Sequence, residues 1–253
     1  MNKKSYYLLL FLYLVGVIVW LLTSSDPAVP TVTYSNKTIK IAIIDTGYRP
    51  PPADSTEPRL KLCPTGHYDL YTNTPTIGYT INHGSAVAAI IATILKDVDY
   101  CAIIYQVLDP GRNKAPTVFT AMALRMAATQ SIVAINVSLV GPDPDLYEQV
   151  ALIGAIKSGA VVFTASGNDN KNLDNRCESY PSCYNLPYVF PVGASDNNVT
   201  REQYSNYGSI VKTWYPGSLE WRGKRHTGTS LAAPRALADW VLHYSALHSA
   251  VTR

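Results

Sequence analysis

The sequence lacks long runs of charge of either sign. Its 21 basic and 18 acidic residues nearly cancel, which gives a formal net charge of +3. Because no basic stripe is present, we expect no nucleic-acid partner. The sequence also lacks internal repeats and low-complexity tracts. Its 47% hydrophobic content is typical of a globular protein, and its 253 residues suffice for one α/β domain with a large core.

Cysteine is scarce, since the chain has four, and none of them forms a Cys-x-x-Cys pair. The absence of such a pair disfavours zinc, and we predict no metal site. An even number of cysteines outside the cytoplasm instead predicts two disulfides, although sequence alone leaves three pairings open. Cys177 and Cys183 lie close together in a polar loop. We therefore predict that they form one bridge, and that Cys63 and Cys101 form the other.

An apolar run from Tyr6 to Leu22 follows two lysines at the N-terminus. The run has no polar face and is just long enough for a membrane-spanning helix, which disfavours a buried core helix. No clean cleavage site follows it, so residues 1–25 are interpreted as a signal anchor, with a cleaved signal peptide as the alternative. Because the lysines should stay in the cytoplasm, we expect the rest of the chain outside it. It would be anchored to the membrane by this apolar helix or secreted after cleavage.

After a polar linker at residues 26–38, predicted strands and helices alternate. The strands are residues 39–44, 100–108, 132–137, 160–165 and 188–192, and the helices are residues 83–95, 117–129, 146–157 and 230–244. This alternation predicts an α/β domain over residues 39–253, with a doubly wound, mostly parallel sheet and helices on both faces. The functional site of such a sheet lies at the carboxyl ends of its strands.

Three polar residues fall where such a domain would place a catalytic site. Asp45 ends the first strand, His83 opens a helix that is apolar nearly all round, and Ser230 opens the last helix. Taken singly, an Asp at a strand end is commonly a turn former, and a Ser before a helix is commonly an N-cap. Together they supply the nucleophile, the base and the group that orients the base, which is what amide hydrolysis by a serine requires.

The motifs around these residues resemble those of the subtilase family of serine proteases (peptidase family S8). They follow the family's chain order: Asp45-Thr46-Gly47, His83-Gly84-Ser85-Ala86-Val87-Ala88 and Gly228-Thr229-Ser230-Leu231-Ala232-Ala233-Pro234. Two further matches are Ala165-Ser166-Gly167-Asn168 and Asn136-Val137-Ser138-Leu139. The resemblance covers about residues 39–242. It implies a serine endopeptidase whose triad is Asp45, His83 and Ser230. Its oxyanion hole would be formed by the side-chain amide of Asn168 and the backbone N–H of Ser230.

The resemblance also implies a pocket for the substrate residue that precedes the scissile bond. One wall would consist of Ser138, Leu139, Val140 and Gly141, and the facing wall of Ala165, Ser166 and Gly167. Val140 stands where the family usually has glycine. If this branched side chain pointed into the pocket, small substrate residues would be favoured. Peptides or proteins are the expected substrates.

The chain departs from the family pattern after the predicted His83 helix. This segment, where family members often bind calcium, is shorter than usual. Asp97 and Asp99 alone do not make a calcium cage, so bound calcium is not expected, and no other cofactor is implied. We expect a compact version of the subtilisin-like three-layer fold. The alternative to an active enzyme is a catalytically silent relative that binds peptides or a partner, because the presence of a triad does not establish its geometry. The sequence does not indicate an oligomeric state.

Overall fold

The computed structural model describes residues 38–78, 82–108, 115–196 and 199–251. These residues belong to the second of two units of the chain, Tyr34–Arg253. The apolar run and nearly all of the predicted linker lie outside the described residues, so the signal anchor and the signal peptide stay predictions. Within the described part of the chain, no helix is long and apolar enough to cross a membrane.

A mostly parallel sheet of eight strands runs through the described residues. Its strands are β1 (Ile39–Asp45), β2 (Tyr68–Asp69), β3 (Tyr100–Gln106), β4 (Ala134–Val137), β5 (Val161–Ala165), β6 (Val189–Asp196), β7 (Thr200–Arg201) and β8 (Thr213–Pro216). They lie in the order β2-β3-β1-β4-β5-β6-β7, with β8 also paired to β6, and every pair except β6–β7 is parallel. The strand order reverses at β1, whose neighbours are β3 and β4. Open α/β sheets bind their ligands at such a point.

Helices cover both faces of the sheet. They are α1 (His83–Ile94), α2 (Thr117–Ala127), α3 (Leu146–Lys157) and α4 (Thr229–Val251). The side chains of β1 reveal the two faces, because Ile41 and Ile43 pack with α1 and α4, whereas Ala42 and Ile44 pack with α2 and α3. All four side chains are buried, as expected of a parallel strand that is covered on both sides. The prediction of a mostly parallel α/β sheet with helices on both faces is confirmed.

The structure differs from the sequence-based expectation at element ends and in several strands. The pattern does not predict β2, β7 and β8, because β2 and β7 have two residues each and β8 is only partly buried. α4 begins one residue earlier than predicted and continues to Val251, and β6 continues to Asp196. Strands β9 (Ser218–Trp221) and β10 (Lys224–Thr227) form an antiparallel hairpin that the sequence pattern does not predict. The reason is that most of its residues are partly or fully exposed, so it lacks the apolar run that identifies the buried strands. The hairpin closes where Gly228 N–H donates to the Gly217 carbonyl oxygen at 2.8 Å.

The carboxyl ends of the parallel strands meet at one edge of the sheet, where the predicted site residues lie. Asp45 is the last residue of β1, Ser138 directly follows β4, and Asn168 lies just beyond β5. α1 begins with His83 and α4 begins with Thr229, beside Ser230. Each predicted residue is therefore held by the end of a regular element, which limits its movement.

Candidate active site

His83 lies between Asp45 and Ser230. Its Nδ1 atom is 2.7 Å from Oδ1 of Asp45, and its Nε2 atom is 2.9 Å from Oγ of Ser230. The Asp45 side chain is fully buried, whereas that of His83 is 32% exposed. The arrangement supplies a hydroxyl, a base within hydrogen-bond reach and a buried carboxylate that orients the base.

The Asp45 carboxylate is held by the loop that follows it. Thr46 N–H donates to Oδ1 of Asp45 at 2.7 Å, and Thr46 Oγ1 accepts a hydrogen bond from Gly84 N–H at 2.9 Å. The second bond ties the start of α1, and hence His83, to the Asp45 loop. A Cβ atom at Gly84 would collide with the Gly47 carbonyl oxygen. Glycine directly after His83 therefore allows the close approach of helix and loop.

The electrostatics of the pair make His83 a stronger base. The nearby Asp45 carboxylate raises the pKa of His83 above its ordinary value of 6.5, and the hydrogen bond between them acts in the same direction. Burial opposes this rise, because it disfavours the charged imidazolium. The net direction is upward, so the imidazole gains affinity for a proton.

The side chain of Asn168 is fixed beside Ser230. Its Oδ1 atom accepts hydrogen bonds from Thr229 N–H at 2.8 Å and from the Thr229 hydroxyl at 3.0 Å. With Oδ1 occupied, the Nδ2 amide group is left to donate. A Cβ atom at Gly228 would lie 3.0 Å from Ser230 Oγ and 3.3 Å from Asn168 Nδ2. Gly228 therefore keeps the space between the hydroxyl and the amide open, and its φ of +153° is one that other residues rarely adopt.

Comparison with known proteins identifies the family. The family model described as the subtilase family matches residues 36–246. The chain belongs to the subtilase family. Subtilisin Savinase from Lederbergia lenta is 28% identical over 211 residues, which cover 78% of this chain and 72% of that protein. Thermitase from Thermoactinomyces vulgaris is 30% identical over 213 residues, covering 77% and 71%. The match to the alkaline protease of Alkalihalobacillus alcalophilus is also 28% identical and covers 78% of this chain, but it spans 51% of that protein.

Solved structures share the fold of this subtilase. A lanthipeptide protease gives a TM-score of 0.70 at 23% identity, covering 85% of this chain and 75% of the other. The nisin leader peptidase from Lactococcus lactis gives a TM-score of 0.65 at 18% identity, covering 83% and 78%. At these identities the likeness establishes the subtilisin-like fold alone. The reaction class follows from family membership, which makes this subtilase a serine-type endopeptidase.

The predicted substrate-binding segment lies against Ser230, the predicted nucleophile. Ser138 Oγ donates to the Ser230 carbonyl oxygen at 2.8 Å and accepts a hydrogen bond from Asn136 Nδ2 at 2.8 Å. Further along, the backbones of Gly141 and Tyr180 exchange two hydrogen bonds of 2.9 and 2.8 Å. The segment 138–141 is therefore held at both ends, by α4 at one and by the loop around Tyr180 at the other.

A pocket of about 500 Å³ borders this segment. Among its lining residues are His83, Leu139, Val140, Gly141, Glu148 and Tyr180. The other predicted wall, residues 165–167, does not border this pocket. The two predicted walls therefore do not enclose this cavity together, and the preference for small residues that Val140 suggested stays a prediction.

Both expected disulfides are present in the structure, Cys63–Cys101 and Cys177–Cys183. The second closes a loop that packs behind the predicted wall at residues 165–167. Ser179 Oγ donates to the Ser166 carbonyl oxygen at 2.7 Å, and Ser182 Oγ donates to that of Ala165 at 2.8 Å. This small covalent loop supports the backbone that leads to Asn168.

Sequence reasoning missed three residues that shape the site. Thr46 holds Asp45, and Thr229 holds Asn168. Both are motif residues, so their position beside Asp45 and Ser230 is the signal that could have found them. Glu148 lies in the first turn of α3, where a carboxylate is ordinarily a solvent-exposed partner of the helix dipole. Nothing in the sequence distinguishes it from such a residue, yet it is buried beside the pocket.

Proposed function

We propose that this subtilase hydrolyses peptide bonds with Asp45, His83 and Ser230 as its catalytic triad. The observation that supports this assignment is the continuous hydrogen-bonded chain from the buried Asp45 carboxylate through His83 to the Ser230 hydroxyl. His83 is 38 residues from Asp45 and 147 residues from Ser230 in sequence. Local turn or capping geometry therefore does not account for their meeting.

In the proposed reaction, the Ser230 oxygen attacks the carbonyl carbon of the peptide bond while its proton passes to Nε2 of His83. His83 then gives this proton to the leaving amine as the C–N bond breaks, which leaves an acyl-enzyme ester on Ser230. Water attacks the ester, its proton passes to His83, and the proton returns to Ser230 as the acid product leaves. Asp45 keeps the second ring proton on Nδ1 and stabilises the imidazolium.

The oxyanion formed in both steps is proposed to bind between the Asn168 amide and the Ser230 backbone N–H. Asn168 is oriented by its two bonds from Thr229, so no reorganisation is needed when charge develops. Ser230 lies in the first turn of α4, where backbone N–H groups have no partner within the helix. The positive end of the helix dipole adds to this stabilisation.

Peptides or proteins are the proposed substrates, bound along residues 138–141 with residues 165–167 as the other wall. One structural relative is named as a leader peptidase, and processing of a peptide extension is compatible with the partly exposed side chain of His83. The two disulfides support a location outside the cytoplasm. We propose that the N-terminal apolar run either anchors the domain there or is cleaved on export, and N-terminal sequencing of the mature chain distinguishes the two.

A fluorophosphonate probe tests the assignment of the nucleophile. We expect labelling of the wild type at Ser230 alone and no labelling of Ser230→Ala. Labelling of His83→Ala should also be lost, because without its base the serine hydroxyl is weakly nucleophilic. Ser209→Ala is the matched control, since Ser209 is an exposed serine that contacts Asp174 and none of the site residues. A folded wild type that remains unlabelled would instead indicate a silent relative that only binds peptides.

A further inference from the structure

The pocket beside His83 is bordered by an acidic residue that the proposed reaction does not use. Glu148 is only 3% exposed, yet it borders the same cavity as His83 and residues 139–141. Its position is set by the start of α3, where Asp145 is the N-cap and accepts a hydrogen bond from Glu148 N–H at 3.0 Å. Glu148 is therefore attached to a regular helix and borders a cavity large enough for a side chain.

One hydroxyl group, that of Tyr184, holds the Glu148 carboxylate. Tyr184 Oη lies 2.9 Å from Oε2 of Glu148, and it also accepts a hydrogen bond from Asp145 N–H at 2.9 Å. The same hydroxyl lies 2.8 Å from the Asp145 carbonyl oxygen. Because a hydroxyl has a single hydrogen, Tyr184 divides it between two acceptors. Glu148 thus has at most one donor for its several lone pairs.

The charge of Glu148 has no cationic partner among the described residues. The titratable groups that face it are Tyr184, which donates to it, Asp145, whose charge opposes ionisation, and His83 across the pocket. Burial raises the pKa of Glu148 to about 7, with Asp145 adding to the rise and Tyr184 opposing it. A buried carboxylate without a cation is costly, and a cation entering the cavity would relieve this cost.

Resting on the proposed peptidase function, we propose that this pocket is a specificity subsite in which Glu148 binds the Lys or Arg side chain of a peptide substrate. The accepted residue lies upstream of the scissile bond, because residues 138–141 are the wall assigned to the residue that immediately precedes that bond. Leu139 and Val140 contact the aliphatic stem of the side chain, and Glu148 contacts its cationic end. The pocket then selects the cationic end of the side chain through Glu148 and its aliphatic stem through Leu139 and Val140.

Peptide sets that differ at one upstream position test the proposal. Each set carries Lys, the neutral lysine analogue norleucine, which lacks the terminal ammonium group, Arg or the neutral arginine analogue citrulline, and kcat/KM is measured for every member. At one upstream position we expect the wild type to prefer Lys over norleucine and Arg over citrulline by roughly 10- to 100-fold, the range for a hydrogen bond between charged groups. Glu148→Gln should reduce both ratios to near one. Asp143→Asn, which removes an exposed carboxylate that does not border the pocket, should keep them.

Two measurements keep the proposal separate from the assignment of the triad. In Ser230→Ala, binding of the uncleaved Lys and norleucine peptides should show the same preference, so its absence there overturns the subsite whatever the turnover. In the wild type, the ratio of kcat/KM for the Lys peptide to kcat/KM for the norleucine peptide should rise as the pH increases through about 7. The reason is that Glu148 then loses its proton and gains a charge. The titration of His83 affects both peptides and cancels in the ratio.

Labelling of Ser230 together with ratios near one at every position and pH would overturn the subsite alone. If the fluorophosphonate probe did not label the folded wild type at Ser230, the assignment of the nucleophile would be overturned instead.

Discussion

Asp45 and Glu148 are both buried carboxylates near the proposed catalytic centre, but only Asp45 is hydrogen-bonded to a basic side chain of the described residues. Asp45 accepts a hydrogen bond from Thr46 N–H and faces His83, so its charge has partners within the chain. Glu148 has a shared bond from Tyr184 and no cation among the residues that the structure describes. A buried charge with internal partners can hold a catalytic base in place. A buried charge without a cation is suited to bind one that the substrate brings.

The largest effect should come from removing the charge of Asp45. Asp45→Asn leaves the shape of the site but lets His83 take the wrong tautomer, and we expect kcat to fall about 10⁴-fold, as in other proteases of this type. Since Asp45 is the main cause of the raised pKa of His83, the acid limb of kcat/KM should also move to lower pH. Stopped-flow and steady-state assays across pH measure both. A loss below tenfold would show that Asp45 does not orient the base.

The next largest effect should come from Asn168, which completes the site on the other side of Ser230. Asn168→Ala removes one oxyanion donor, a change that typically lowers kcat by about 10²–10³. KM should change little, because the donor acts on the transition state more than on the bound substrate. The decrease in kcat should be the same for Lys peptides and norleucine peptides. A change in the ratio between them would contradict the separation between catalysis and selection.

Glu148 should make the free energy of unfolding depend on pH. Burial raises the pKa of Glu148 from its ordinary value of 4.5 to about 7, so the native state retains a proton that the unfolded chain has released. The native state is therefore favoured at low pH, and this contribution is lost as the pH rises through 7. Relative to Glu148→Gln, we expect the unfolding free energy of the wild type to fall by about 2–3 kcal/mol between pH 5 and pH 8.

Urea unfolding at both pH values measures this difference, with Asp143→Asn as the control for loss of an exposed carboxylate. Parallel pH dependences in the wild type and Glu148→Gln would show that Glu148 titrates normally. Burial of the ionised Glu148 carboxylate would then cost little free energy, and the argument that it binds a substrate cation would fail.

The smallest effect on stability should come from the Cys177–Cys183 bridge. Its loop is short, with a separation of 6 residues, and in the chain-entropy model such a loop contributes about 2 kcal/mol. The loop leads to Tyr184, so replacing both cysteines by serine should weaken the preference for Lys more than the turnover of norleucine peptides. Replacing Cys63 and Cys101, which are 38 residues apart, should cost more stability without affecting that preference. Equal effects of both replacements on selectivity would contradict the role of the short loop.

The positions of the proposed catalytic residues in the fold could be predicted from sequence, because the motifs that identify them are local. Asp45, His83, Asn168 and Ser230 lie in short motifs at the ends of strongly patterned elements, and those elements were identified with small errors at their ends. The hairpin β9–β10 was missed because its residues are half-exposed and mix charged with aromatic side chains. Glu148 was missed because an acidic residue in the first turn of a helix is ordinary, and burial at that position has no local signal.

The sequence by itself determined the alternating strands and helices, the motif residues and the expected reaction, since hydrophobic period and turn chemistry act over a few residues. The tertiary structure alone decided which residues meet across the sheet. Tyr184 reaches Glu148 across 36 residues, and His83 shares a cavity with Glu148 because α1 and α3, on opposite faces of the sheet, both begin at its carboxyl edge. Such contacts depend on strand order and loop path, which no local pattern encodes.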